Sequence, residues 1–365
     1  MKSSPFLPAF GNRPAYLLGR DAVIEGFVNG LAGPVGHPDR TTILVGQRGM
    51  GKTALLLEFA SRAESQGFVV VRVTAHDEML DDIIGAIQRK GTRFISAKSR
   101  LKGLSAGAFG FSFGLSFSEE VERSFSFLNK LSLLSEELAR HGRGLVILID
   151  EVQANTLAMK SLASAYQSLI GEERDIIIAM AGLLHAISLV LNDDVLTFLN
   201  RARKVRLETI PLNSVSTFYA RAFRDLKRTI TPEVLNSAVC ATRGYPYLFQ
   251  LIGYYLTEYS ESGTEIDQQI VDQAIASAKR DLIESIYEPA LKPLSKTDSA
   301  FLQAMSADRS GVSTIADLTQ RLKTTSSNAQ AYRRRLLDAG VIASERRGEL
   351  SFTLPYLGEY LRGEL

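Results

Sequence analysis

The sequence predicts an α/β architecture: a parallel five-stranded sheet covered by helices, then a small all-helical segment, then a winged helix-turn-helix. Three observations carry that expectation. In the first half of the chain, short β-branched runs alternate with helical patterns. These runs are apolar throughout rather than at every second position, as in strands buried on both faces. After Pro211 the β pattern gives way to helical periodicity, and from Thr297 the order becomes three helices and a hairpin.

The strands are expected at Thr41–Val45 (TTILV), Phe68–Thr74 (FVVVRVT), Leu145–Ile149 (LVILI), Asp175–Ala181 (DIIIAMA) and Val205–Ile210. Between them, helices are expected at Thr53–Ala63, Glu78–Lys90, Val121–Arg140 and Leu157–Ile170. The third carries apolar residues at Phe125, Leu128, Leu131, Leu134 and Leu138. Thr231-Pro232-Glu233 is a helix start, with Thr as the cap and Pro in the first turn. Gly244 and Pro246 end that helix and begin the next. Helical patterns run on through Tyr255 and across Ile266–Tyr287, and Glu288–Ser295 leads into the last segment. There, helices are expected at Thr297–Met305, Thr314–Leu322 and Ser326–Ala339. Strands follow around Ile342–Arg346 and Leu350–Thr353, with a final helix near Pro355. The implied boundaries are 1–211, 212–290 and 291–365. One stretch stands apart: Gly103–Ser118 alternates Phe109, Phe111, Phe113, Leu115 and Phe117 with glycine or serine. That period of two predicts a strand or hairpin with one apolar face, packed on the core or exposed for self-association or for gripping DNA.

A chain of 365 residues suits two or three domains, and 45% hydrophobic with 22% charged residues is an ordinary globular balance. A net charge of +2 means that any nucleic-acid site must be a local patch. The single cysteine, Cys240, excludes an internal disulfide and fits a reducing compartment. Met1–Arg20 has no apolar core of signal-peptide length, and Pro5, Pro8 and Pro14 interrupt it. The longest apolar runs, Leu145–Ile149 and Ile176–Leu184, fall far short of the roughly 20 residues that a membrane span requires. The expectation is a cytoplasmic protein with no membrane partner.

Gly46-Gln47-Arg48-Gly49-Met50-Gly51-Lys52-Thr53 fits G-x-x-x-x-G-K-T, with a strand before it and a helix containing Ala54 after it. The glycines let successive N–H groups turn toward phosphate oxygens, and the helix adds its positive N-terminal end. Lys52 is placed to neutralise the β and γ phosphates of ATP, and the Thr53 hydroxyl to ligate Mg²⁺. Leu145–Ile149 runs directly into Asp150-Glu151. Two carboxylates ending a buried strand suit a cation nearby, with Asp150 as a Mg²⁺ ligand and Glu151 as the base orienting water.

These residues, in this order, resemble AAA+-type ATPases. The likeness is greatest to archaeal-type predicted ATPases, origin-recognition initiator ATPases and the signal-transduction ATPases with numerous domains. Tyr16-Leu17-Leu18-Gly19-Arg20-Asp21 resembles the motif that opens those proteins, which implies that Leu18, Gly19 and Arg20 lie beside the adenine. Gly244-Tyr245-Pro246-Tyr247 resembles the Gly-x-Pro motif of their helical lid, bringing Pro246 to the nucleotide. The resemblance also implies an arginine reaching the γ-phosphate of a neighbouring subunit in a homo-oligomer. Arg201 is the candidate, with Arg203 behind it. Two departures weigh against fast hydrolysis. The fourth strand ends Met180-Ala181-Gly182, with no Asn or Thr as phosphate sensor. Tyr247 stands where relatives often carry a second sensor arginine, although Arg243 is near.

In the last segment, Ser326, Ser327, Gln330, Arg333 and Arg334 lead the third helix, which in helix-turn-helix proteins enters the major groove. Arg346 and Arg347 at the hairpin tip suit phosphate contacts. The expected activity is that of a nucleotide-driven switch acting on DNA. The rival expectation is a regulatory or defence-type switch whose winged helix binds a protein partner and whose ATP is held rather than turned over. A small-molecule kinase would need neither the lid nor the winged helix.

Overall fold

The structure, a computed structural model, describes residues 4–9, 14, 16–91, 126–152, 157–193, 196–344, 346 and 348–365. The strand or hairpin expected at Gly103–Ser118 lies outside them. The chain forms two compact units, Arg20–Val45 with Leu55–Arg206, and Met1–Gly19 with Gly46–Ala54 and Leu207–Leu365.

The first unit is built on a five-stranded sheet of order β2-β3-β4-β1-β5. Its strands are β1 (Thr41–Val45), β2 (Val69–Thr74), β3 (Leu145–Val152), β4 (Ile176–Gly182) and β5 (Arg203–Arg206), all pairing in parallel. Residues of both parities are buried: Ile43, Val71, Ile147 and Ile149 on one face, Leu44, Val70, Val146 and Leu148 on the other. That is why these runs read as continuously apolar. Helices α1 (Asp21–Ala32), α2 (Lys52–Ser65), α3 (Met79–Gly91), α4 (Phe127–Arg140), α5 (Leu157–Gly171) and α6 (Leu184–Leu191) complete this part of the chain. The first residues of α2 belong to the other unit. Met79, Ile83 and Ile87 of α3 and Leu131, Leu134 and Leu138 of α4 recur at helical spacing and join one core with the sheet. Phe27 of α1 stacks on Phe59 of α2, with ring centroids 4.0 Å apart.

Strand β5 corrects the expected Val205–Ile210: it occupies Arg203–Arg206, earlier in the chain. Its side chains are mostly exposed, unlike the buried Val69–Val71 of β2 at the other edge of the sheet, so it carries no apolar run. The apolar Leu207 and Ile210 that suggested a strand are buried in the other unit.

In the second unit, α7 (Leu212–Asp225), α8 (Pro232–Ala241), α9 (Pro246–Tyr259) and α10 (Gln268–Leu282) form a helical bundle. Thr231 caps α8 through its hydroxyl, as its Thr-Pro-Glu sequence predicts. This part is not wholly helical, because β6 (Thr229–Ile230) and β7 (Glu265–Ile266) form a short parallel pair. Two residues are too few to show a period of two. The bundle closes around an N-terminal residue: Phe6 is 1% exposed and lies 5.5–6.0 Å, centroid to centroid, from Phe218, Tyr219, Phe223 and Phe249. A Cβ on Gly253 would come within 2.4 Å of the Phe6 ring, so that glycine makes room for it.

The C-terminal segment runs α11 (Lys296–Ser306), β8 (Val312–Thr314), α12 (Ile315–Arg321), α13 (Ser326–Asp338), β9 (Ile342–Ala343), β10 (Glu349–Phe352) and α14 (Leu357–Leu361). The hairpin gains a third strand, in the order β8-β10-β9, and its first strand ends at Ala343 rather than Arg346. Asp298 caps α11 reciprocally with Ser295 and receives a forked pair of hydrogen bonds from Arg335. Burial pushes the Asp298 carboxyl up, but those bonds outweigh it and hold the group below the usual carboxylate range.

Truncating Phe6 to Ala empties a pocket between four rings and should cost about 3–5 kcal/mol. The full-length Phe6→Ala protein is expected to unfold at a clearly lower temperature by calorimetry. An unchanged transition would mean that the N-terminal segment does not support the bundle.

Candidate nucleotide site

Chain connectivity puts the glycine loop directly after β1, whose last residue, Val45, pairs with Gly182 of β4. Val152 of β3 pairs with the same Gly182 from the other side. The ends of β1, β4 and β3 therefore lie together along the carboxyl edge of the sheet, where ligands of open α/β sheets bind.

In the second unit, the loop itself is held by side chains bonding its carbonyls. The Lys52 ammonium donates to Gly46 O and Gln47 O, each at 2.7 Å. The Tyr245 hydroxyl donates to Arg48 O at 2.6 Å. Gly49 and Gly51 have φ of 69° and 82°, the left-handed region that favours glycine. A Cβ on Gly49 would lie 2.0 Å from the Tyr245 hydroxyl, so no other residue fits beneath that phenol. Met50 is buried, Gln47, Gly51, Lys52 and Ala54 are half-buried, and Arg48 and Thr53 are exposed.

Tyr245 was not singled out by the sequence, because it is the variable position of the Gly-x-Pro motif. The turn that carries it is rigid. Gly244 has φ of 67°, its carbonyl accepts from Ile210 N at 2.7 Å, and a Cβ there would meet Ile210 O at 2.3 Å. Pro246 opens α9 in its first turn. The fully buried Thr242 accepts from Gly244 N at 3.1 Å and donates to Val239 O at 2.7 Å. Burial pushes the Tyr245 hydroxyl well above the usual phenol range, so it remains a donor. Leu18 and Gly19 also belong to this unit, Gly19 with φ of 72°.

Arg243, the lid arginine near the second-sensor position, is engaged elsewhere. Its guanidinium donates to Glu359 at 2.6 Å and lies 3.7 Å from the centroid of the Tyr356 ring. The Tyr356 hydroxyl in turn donates to Ala241 O at 2.8 Å. The turn bearing Tyr245 is thus tied to the last helix of the chain.

In the first unit, β3 continues past Ile149 through the acidic pair, with a register irregularity before Val152. Glu151 sits at that irregularity with φ of 52°, left-handed for a residue with a side chain, and is exposed. Its N–H donates to Asp150 Oδ1 at 2.8 Å. The bulge re-aims the Glu151 side chain out of the strand's alternation. A Cβ on Gly182 would come within 3.2 Å of Val152 O and 3.0 Å of Ile187. A side chain at Gly182 would therefore need Ile187 or the Val152 backbone to give by a few tenths of an ångström.

Arg20 is buried and its carbonyl accepts the first amides of α1. Arg201 ends the short helix Thr197–Arg201 and is exposed, with no ion-pair partner among the described residues. Arg203 does not stand free behind it: it is paired to Asp39 at 2.8 Å. Of the residues expected to face DNA, Ser326, Ser327, Gln330, Arg334 and Arg346 are exposed and Arg333 is half-buried. Arg347 lies outside the described residues.

Residues 16–175 match the family described as AAA ATPase domain, and residues 284–361 match a domain of unknown function (DUF8462). No curated protein matches the chain. Among solved structures, the Walker-type ATPase PABY2304 of Pyrococcus abyssi is similar over 95% of this chain and 96% of its own. The TM-score is 0.66 at 18% identity. The ORC2 protein of Aeropyrum pernix, solved as ADPNP-ADP complexes, is similar over 98% of this chain and 95% of its own, with a TM-score of 0.63 at 15% identity. At these identities the likeness is one of fold. Together with the glycine loop after β1 and the acidic pair ending β3, the match identifies residues 16–175 as an AAA-type ATPase domain.

Proposed function

We propose that the chain is an ATP-driven switch that acts on DNA through a C-terminal winged helix. The observation that carries the nucleotide half is the loop itself, with its carbonyls bonded to Lys52 and Tyr245 and its glycines left-handed. The loop's N–H groups and Lys52 take the phosphates. Thr53 and Asp150 supply a hydroxyl and a carboxylate, the hard oxygen donors that Mg²⁺ prefers, and bound Mg²⁺ neutralises phosphate charge. Glu151 is the base that orients water. Its strained backbone supports that role, since left-handed non-glycine residues cluster at functional sites. Arg201, exposed at a helix end, completes the site of a neighbouring copy. Leu18, Gly19, Arg20 and Pro246 flank the base.

For the DNA half, the support is the order of elements in 296–361 and the exposed polar face of α13. Arg335 and Arg321 are bound to Asp298 and Asp308, so they are structural. That leaves Arg333, Arg334 and Arg346 for phosphates and Ser326, Ser327 and Gln330 for base edges. The tie between Arg243 and Tyr356 and Glu359 gives the lid a route to this segment. The bare Gly182 favours a second reading, a regulatory switch with slow turnover whose winged helix docks on protein.

Glu151→Gln should keep ATP binding and lower phosphate release by about 10²-fold or more. Glu151→Gly should likewise abolish release while raising the melting temperature by about 2 °C, because it relieves left-handed strain. Loss of binding in Glu151→Gln, or a lowered melting temperature in Glu151→Gly, contradicts these roles. For DNA, affinity at fixed salt is expected to differ between the ATP-bound and nucleotide-free protein. Arg334→Ala should reduce the salt slope by about one. Equal affinities and equal slopes would leave the protein-docking switch.

A further inference from the structure

The lid motif meets the phosphate loop through the hydrogen bond from Tyr245 to Arg48 O, and its chemistry gives Tyr245 a role beyond holding the lid. The peptide unit is planar and trans, so each C=O points opposite to the N–H of the next residue. Lys52 takes the carbonyls of Gly46 and Gln47, and Tyr245 takes that of Arg48. The matching N–H groups belong to Gln47, Arg48 and Gly49. Three consecutive peptide planes are thus set by donors bonded to their carbonyl oxygens.

The two donors differ in one respect. Lys52 is a mobile ammonium on a flexible stem and is itself the residue proposed to move to the phosphates. Tyr245 is 2% exposed, and its backbone is pinned by Gly244, Thr242 and Ile210. When Lys52 turns to a ligand, the bond from Tyr245 still constrains the loop. Gly49 has the left-handed φ that the bend requires and lacks the Cβ that would strike the phenol.

We propose that Tyr245 is a positioning residue for the phosphate site: its hydroxyl fixes the Arg48–Gly49 peptide so that the Gly49 N–H is presented to a nucleoside di- or triphosphate. This rests on the reading that Gly46–Thr53 binds nucleotide. The Tyr245 hydroxyl touches no phosphate and acts only through the peptide. It also makes the loop's shape depend on the lid turn, so nucleotide affinity and the placement of that turn are linked.

The test uses the full chain as wild type, Tyr245→Phe and Lys52→Ala. Affinity for ADP is measured by calorimetry well below the melting temperature, and KM and kcat are measured for ATP with Mg²⁺. Removing one neutral hydrogen bond is expected to weaken ADP binding and raise KM by about 3- to 10-fold. kcat at saturating ATP should stay within about 2-fold, because binding rather than the chemical step is affected. A merely structural tyrosine would lower the unliganded melting temperature and leave the ADP affinity in place, and that result overturns the proposal. So does a fall in kcat at unchanged KM. Wild-type protein that takes up no ADP or ATP would remove the nucleotide reading and this proposal together. ADP binding that is lost in Lys52→Ala but unchanged in Tyr245→Phe would remove only the proposal.

Discussion

A loop that is to hold a triphosphate must keep several backbone N–H groups turned one way while their carbonyls find donors elsewhere. Unbonded, those carbonyls would let each peptide plane rotate, and the array of donors would be lost. Here Lys52 and Tyr245 supply the missing donors from within the chain, at 2.6–2.7 Å. The surrounding features follow from that constraint. Gly49 must be glycine for its φ and for the phenol above it. Gly244 must be glycine to bring the tyrosine's turn against Ile210. The buried Thr242 hydroxyl joins that turn, at Gly244 N, to the end of α8, at Val239 O.

The same economy appears at the acidic pair. β3 could have ended at Ile149, but it continues through Asp150 and Glu151 at the cost of a left-handed backbone of order 1–3 kcal/mol. A strand in regular alternation would send Asp150 and Glu151 to opposite faces. The bulge breaks that alternation, and Gly182 beside it provides the space. Gly182, which ends β4 without the Asn or Thr noted in the sequence, packs closely on Val152 O and Ile187 beside the bulge.

How much could be read in advance depended on whether the controlling interaction leaves a periodic or spaced trace. β1 to β4 are buried on both faces, and their apolar runs announced them to within a residue or two at their starts. Thr231 and Pro232 announced α8, because capping is local. The glycine loop was visible because its constraint falls on spacing. β5 was misplaced because its side chains are mostly exposed and leave no apolar run, and the nearby hydrophobic residues serve the other unit. β8, at three residues, is too short for a pattern. The role of Phe6 depends on rings some two hundred residues downstream and on a gap at Gly253, and neither is a local property. Tyr245 lay inside a motif already in view, yet its partner is a backbone carbonyl 197 residues away.

The turn at Gly244 also explains why Arg243 faces the C-terminal segment. With φ of 47° it is itself left-handed, one of two consecutive residues in that region. Two such residues reverse the chain sharply, which sends the Arg243 side chain to Tyr356 and Glu359 while Tyr245 goes to the loop. Lys279, 4.4 Å from the centroid of the Tyr356 ring, adds a second cation to that aromatic contact. Two residues flanking Gly244 thus connect the phosphate loop on one side and the last helix on the other. One turn of chain carries both the contact to the loop and the contacts to the C-terminal segment.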